Sequence, residues 1–209
     1  MRLIAITGGI GSGKSVVSTI LSKLGYAVYD CDSRAKHLMA TSDEIRRELV
    51  AEFGAEVVRE DGSIDSQRLA KRVFGNSEAL QRLNGIVHPR VKQDILRWAR
   101  EHDEANAGDG SRCRPHSGAA FVETAILRES NLHTIVDEEW QVTAPEEVRV
   151  ARVMKRNGLT ETEVRARIAS QSSYKVAHPI VNDGVTALLP QIMSRLAEEA
   201  AAANIAKKD

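Results

Sequence analysis

The sequence has little cysteine, no excess of charge and no long apolar run, and each lack closes off a class of protein. Two cysteines, Cys31 and Cys113, are too few for the disulfide framework of a secreted scaffold. Lys and Arg together number 29, as do Asp and Glu, so the formal net charge is zero. That balance speaks against a general nucleic-acid binder or membrane-surface protein, while leaving room for a local basic site. The N-terminal apolar run stops at Thr7 and the glycines behind it, too soon for a membrane span or a signal peptide. No internal repeat is visible. The expectation is a cytoplasmic chain with free thiols, a monomer or small homo-oligomer acting on small molecules. Its 209 residues suffice for one domain with a sizeable core and an inserted subdomain.

What is present has an α/β rhythm. Leu3 to Ile6 reads as a strand buried on both faces. Val17, Ile20, Leu21 and Leu24 form the apolar stripe of a helix, which Gly25 closes. Tyr26 to Tyr29 is a second strand, so the sheet should be parallel with a right-handed crossover. From Ser33 to about Glu104 the chain reads as helical, with a turn at "DGSID" (61–65) and a break between helices at His88-Pro89. The residues from Asn106 to Gly118 read as a loop. Three further strands are expected within Ala119–Ile126, Trp140–Ala144 and Pro179–Val181, giving five. Pro145 opens a helix with Glu146 and Glu147 in its first turn, and Thr160 with Glu163 has capping-box spacing.

Between the first strand and helix lies "AITGGIGSGKSVV", in which Gly8-x-x-x-x-Gly13-Lys14-Ser15 has the full P-loop spacing. Glycines let the backbone curl so that N–H groups from Gly9, Gly11, Ser12, Gly13, Lys14, Ser15 and Val16 converge on phosphate oxygens. Lys14 reaches the β- and γ-phosphates, and the Ser15 hydroxyl is a ligand for Mg²⁺. The element predicts a site for a nucleoside triphosphate. Neither the D-x-x-G nor the N-K-x-D string of a GTPase switch occurs. A helical insertion and an arginine-rich segment suit a small-molecule kinase instead, which must hold a second substrate and exclude water.

Asp30 and Asp32 end the second strand, at the sheet edge where ligands bind. Two apart in extended chain, both carboxylates would face one cleft, and one could serve as catalytic base. The competing reading is that one or both cap the next helix. Cys31 between them should pack on the opposite side. Arg149, Arg152 and Arg156 form a basic stripe, either a solvated face or a lid closing on phosphates. Arg165 and Arg167 invite the same idea. His88 reads as a turn residue by itself, and Asn182-Asp183-Gly184 as a turn or a contact to the base.

"LIAITGGIGSGKS", "YDCD", "IVHP" and "APEEVRVARVMKRNGLTETEVRARIASQ" together, in this order over nearly the whole chain, resemble the dephospho-CoA kinase family. The resemblance implies transfer of the ATP γ-phosphoryl to the ribose 3′-hydroxyl of dephospho-CoA, with Mg²⁺. It implies Asp32 as catalytic base, with Lys14 and Arg152 beside it. ATP-binding then adds Arg152 and Asn182 to the loop residues, and acceptor binding falls to Asp32, His88 and Arg156. Gln171 ends the lid's second helix. "ILRE" departs from the family pattern by placing Arg128 before Glu129, and the loop after Asn106 is long. The architecture expected is a three-layer P-loop NTPase or nucleotide-kinase-like fold with a parallel five-stranded sheet. Residues 1–32, 119–147 and 176–209 would form the nucleotide-binding core, 33–118 the helical acceptor domain and 148–175 a small lid. Another small-metabolite or nucleotide kinase, or a nucleotide-binding regulatory protein, remains the alternative.

Overall fold

A computed structural model describes residues 1–108, 118–171 and 179–205. Cys113, most of the long loop and the last residues assigned to the lid lie outside them.

Five strands, β1 (Arg2–Thr7), β2 (Ala27–Asp30), β3 (Ala119–Glu123), β4 (Glu138–Thr143) and β5 (Ile180–Val181), form one sheet. All pairs are parallel, in the order β2-β3-β1-β4-β5. β1 is central and buried from Leu3 to Thr7, as a strand covered on both faces must be. Its side chains alternate between two cores. Leu3 and Ala5 join Tyr29, Ala120 and Val122 on one face, against Val87, Val91 and Ile95. Ile4 and Ile6 join Phe121, Trp140 and Val142 on the other. That second face is covered by α1 (Lys14–Lys23) and α8 (Leu188–Ile205). The pairing sets Asp30 opposite Glu123 and Glu123 opposite Ile6, so two carboxylates reach the same edge of the sheet as the glycine loop.

Between β2 and β3 run α2 (Cys31–Thr41), α3 (Asp43–Phe53), α4 (Ser66–Val73) and α5 (Ser77–Gly108). Ile45, Leu49, Phe53, Val57, Leu69 and Ala79 give this part its own core. The expected break at His88-Pro89 is absent, and Pro89 lies inside α5. A proline in a helix interior costs about 3 kcal/mol. Val87, Val91 and Ile95 are buried around it, each contributing roughly 1.5–3 kcal/mol. Packing outweighs the local signal. An isolated antiparallel bridge between Val58 and Ile64 closes the turn at 61–65.

Asp94 of α5 fastens these helices to the sheet. Its Oδ2 accepts from the Tyr29 hydroxyl at 2.6 Å and Arg34 Nη2 at 2.7 Å, while Oδ1 pairs with Arg97. Burial alone would raise its pKa, but these donors and guanidinium charges hold the carboxyl below its usual range.

α6 (Glu146–Asn157) and α7 (Glu161–Ala169) form a hairpin whose small core is Val150, Val153 and Val164. Thr160 and Glu163 make the expected capping box. Arg165 pairs with Glu146, Glu147 and Glu161, locking the two helices together. It is thereby spent on carboxylates and not offered to a phosphate. No helix of the described residues is long and apolar enough to cross a membrane.

At the sheet's other edge, the nearly buried Glu199 of α8 accepts from Arg2 Nη1 at 2.6 Å. Arg2 Nη2 lies 3.6 Å from Glu138 Oε2. Burial, a hydrogen bond with Glu138 and that carboxylate's charge push Glu199 from 4.5 up to about 7, against Arg2 and Arg195. A carboxyl whose pKa is raised on folding stabilises most below its unfolded value and loses that contribution as pH rises through about 7. The melting temperature should therefore fall as pH rises from about 5 to about 7 and level off above that, and Glu199→Gln should flatten the slope. An unchanged slope in the variant would remove Glu199 as its source.

Candidate active site

The glycine loop joins β1 to α1, and every carbonyl from Gly8 to Gly13 has a protein donor. Gly8 O and Gly9 O accept from Lys14 Nζ at 2.8 and 3.3 Å. Ile10 O accepts from Arg149 Nε at 2.8 Å, and Gly11 O from Arg152 Nη1 at 3.4 Å. Ser12 O accepts from Asn182 Nδ2 at 2.9 Å, and Gly13 O from Val16 N at 3.0 Å. A trans peptide points its N–H opposite its C=O. Holding the Ile10, Gly11 and Ser12 carbonyls on Arg149, Arg152 and Asn182 therefore turns the N–H groups of the same peptides the other way, and the start of α1 adds unpaired donors and its positive dipole end. This is an anion cradle. Gly13 cannot be replaced: its φ is +94°, and a Cβ there would fall 1.9 Å from Asn182 Nδ2.

Two clefts open at this edge. One is lined by Gly11, Gly13, Lys14, Ser15 and Val16 of the loop, with Glu123, Arg152, Arg156, Gln171 and Asn182. The other lies between α2, α5 and the segment after β3, and is lined by Asn84, His88, Thr124 and Ser130 among apolar side chains. Asp32 lines both.

The geometry behind that position differs from the expected one. β2 stops at Asp30 and α2 starts at Cys31, so the two aspartates are not in extended chain. Asp30 Oδ1 accepts from the N–H groups of Asp32 and Ser33 at 3.0 and 3.3 Å, and Oδ2 from Ser33 Oγ at 2.5 Å. Capping belongs to Asp30, which leaves the Asp32 carboxylate for the clefts. Cys31 is buried in the core yet lines the same cleft as Asp32, not an opposite side.

Lys14 lies between acids and bases. Burial pushes its pKa down, Glu123 and Asp32 pull it up, and Arg149 and Arg156 push it down again. Glu123, at the end of β3, has its pKa raised by burial and by Asp30 and Asp32, against Lys14. Sequence reading missed Glu123, although a carboxylate ending an otherwise apolar strand, "AAFVE", was the available signal. Burial lowers the His88 pKa, opposed by the nearby Glu129 charge, which favours the neutral imidazole. Arg128 turns to Glu139 on β4 at 2.8 Å.

The remaining residues divide by position. Arg152 Nη1 donates to Asn182 O at 3.0 Å and Nη2 to Asn182 Oδ1 at 3.2 Å, so both sit against the loop. Arg156 is exposed, with Nε on Asn157 Oδ1 at 2.9 Å. Ser12 is buried, its N–H bonded to Gly9 O at 3.1 Å. Gly9 adjoins Arg149. Among the described residues no group of three or more His, Cys, Asp or Glu forms a metal site.

A phosphate cradle on a parallel sheet, meeting a second cleft at a shared carboxylate, defines a P-loop kinase of a small molecule. The family model described as CoaE, dephospho-CoA kinase, matches residues 2–187. The dephospho-CoA kinase of Porphyromonas gingivalis is 38% identical over 199 residues, 92% of each chain. That of Carboxydothermus hydrogenoformans is 37% identical over 173 residues, covering 82% of this chain and 78% of its own. Among solved structures, TT1252 from Thermus thermophilus aligns with a TM-score of 0.71 at 30% identity, over 96% of this chain and 97% of the other. The dephospho-CoA kinase from Campylobacter jejuni shares the fold, with a TM-score of 0.61 at 24% identity over 98% and 100% of the two chains. The chain belongs to the dephospho-CoA kinase family, and its activity is the ATP-dependent phosphorylation of dephospho-CoA in coenzyme A biosynthesis.

Asp30 and Asp32 should separate on mutation. Asp30→Ala should lower stability by about 1 kcal/mol through the lost cap, whereas Asp30→Asn retains it. Thermal melting and steady-state turnover on both variants check this. An Asp30→Asn enzyme as slow as an Asp32 variant would contradict the division of labour.

Proposed function

We propose that the chain transfers the ATP γ-phosphoryl to the ribose 3′-hydroxyl of dephospho-CoA, with Asp32 as catalytic base. One observation carries this reading: Asp32 is the carboxylate common to the nucleotide cleft and its neighbour. The acceptor ribose enters from the cleft that holds His88, where a neutral imidazole both donates and accepts hydrogen bonds. Asp32 takes the hydroxyl proton as the oxygen attacks. The new P–O bond forms in line with the breaking bond to the β-γ bridging oxygen, and ADP leaves.

The loop N–H groups hold the phosphates, while Lys14 exchanges its carbonyl partners for phosphate oxygens. Arg152 and Arg156 supply charge to the transition state, which such groups stabilise best in a water-excluded site. Asn182 acts on the nucleotide through Ser12. The donors at this edge suit Mg²⁺, which prefers oxygen ligands and is usually held by one or two protein groups plus phosphate. Ser15 would be its ligand, with Glu123 beside it. When bound, the ion neutralises charge on the β- and γ-phosphates.

The functional units in this reading are the core (1–32, 119–147, 176–209), the acceptor domain (33–118) and the lid (148–175). Both clefts are lined from one chain, so a monomer or a small homo-oligomer suffices. The cytoplasm, where both substrates are available, is its expected location.

Asp32→Asn should lower the maximal rate by roughly 10²–10⁴-fold with ATP affinity retained. Wild-type ADP release should respond to dephospho-CoA and not to a panel of nucleosides and sugars. A variant within about threefold of wild type, well inside that range, would end the assignment of Asp32 as base. A preference for another acceptor would end the substrate assignment.

A further inference from the structure

Arg149 stands first in the basic stripe, yet the structure puts its guanidinium on the loop backbone. Three hydrogen bonds form a closed ring. Arg149 Nε donates to Ile10 O at 2.8 Å, Ile10 N donates to Gln171 Oε1 at 2.7 Å, and Arg149 Nη2 donates to the same Oε1 at 3.4 Å. The Ile10 side chain packs with Val150, Val153 and Val164. Residue 10 is therefore held at its N–H, its C=O and its side chain by one helical hairpin. The glycines on either side make room for this: a Cβ at Gly9 would fall 2.3 Å from Arg149 Nη2, and one at Gly11 2.7 Å from Arg149 O.

Peptide planarity converts that outer clamp into an inner geometry. With Ile10 C=O held outward, the N–H of Gly11 in the same peptide points the opposite way, into the cradle. With Ile10 N–H held by Gln171, the Gly9 carbonyl points inward, where it meets Lys14 Nζ and Ser12 N. Both inward groups concern phosphate binding, one as a donor and one as the rest that steadies the lysine.

We propose that Arg149 and Gln171 are a positioning pair, which sets the shape of the phosphate cradle by clamping Ile10 from outside and does not touch the transferred phosphoryl group. The proposal rests on the reading that this cradle takes the phosphates of ATP. It assigns two members of the arginine-rich segment different work: Arg149 shapes the loop, whereas Arg156, two turns along α6, faces the nucleotide cleft. It also makes the hairpin's two ends, the start of α6 and the end of α7, converge on one loop residue.

The test separates shape from charge. ADP affinity is measured by titration calorimetry, which needs no acceptor, alongside steady-state kinetics with ATP and dephospho-CoA. Arg149→Ala, Arg149→Lys and Gln171→Ala should each weaken ADP binding about tenfold, the effect of losing one or two hydrogen bonds. The rate at saturation and the KM for dephospho-CoA should change less than threefold, about the resolution of such a comparison. The double Arg149→Ala/Gln171→Ala variant should bind no more weakly than either single one, because both remove the same ring. Gln171→Met, which keeps side-chain length, replaces Gln171→Ala if melting shows that variant unfolded. Rescue by Arg149→Lys, multiplying losses in the double variant, or a fall in rate with ADP affinity unchanged would each overturn the proposal. Wild-type enzyme that binds ADP but ignores dephospho-CoA would refute the substrate reading alone, leaving the ADP titrations to decide the clamp.

Discussion

The structure turns on the pairing of the loop carbonyls between Gly8 and Gly13. Left to itself, a glycine-rich segment loses more conformational entropy on ordering than any other. Here Lys14, Arg149, Arg152 and Asn182 each take a carbonyl, and these partners come from α1, α6 and the end of β5. At Ile10, Gly11 and Ser12 the order of the cradle is thus supplied from outside the loop. Parallel pairing of β4 with β5 brings Asn182 there, and its N–H continues that pairing onto Thr143 O at 2.8 Å. Sheet topology and phosphate binding are one problem solved together.

The second constraint is the turn from β2 directly into α2. With no connecting loop, a cap is needed at the last strand residue, and Asp30 meets it with both oxygens. Asp32 then falls in the first helical turn, beside the dipole's positive end. Its neighbours Glu123 and Lys14 come from β3 and the loop, so the reacting edge gathers charge from three separate segments. The cleft that holds His88 is fastened to that edge by α5, through Asp94 and its contacts to Tyr29 and Arg34.

Features written in local sequence were legible. The P-loop spacing, the apolar strand runs and the Thr160–Glu163 box all depend on residues within a few positions of one another. What depends on distant partners was not. Pro89 gives a strong local signal for a break, and only the burial of Val87, Val91 and Ile95 against the sheet overrides it. A basic stripe looks the same whether its arginines face solvent, phosphate or backbone. The structure divides it, with Arg149 and Arg152 on the loop and Arg156 exposed at the nucleotide cleft. Glu123 gained its meaning only when register placed it between Asp30 and Ile6. The aspartate pair misled because the helix starts two residues earlier than the sequence suggested.

The central claim is that Asp32 stands between two substrates. A crystal structure with a non-hydrolysable ATP analogue and dephospho-CoA bound together tests it most directly. The account predicts the ribose 3′-oxygen about 2.6–3.2 Å from the Asp32 carboxylate, with the γ-phosphate beside Lys14 on the other side. A ribose seated away from the His88 cleft, with Asp32 facing solvent, would contradict it.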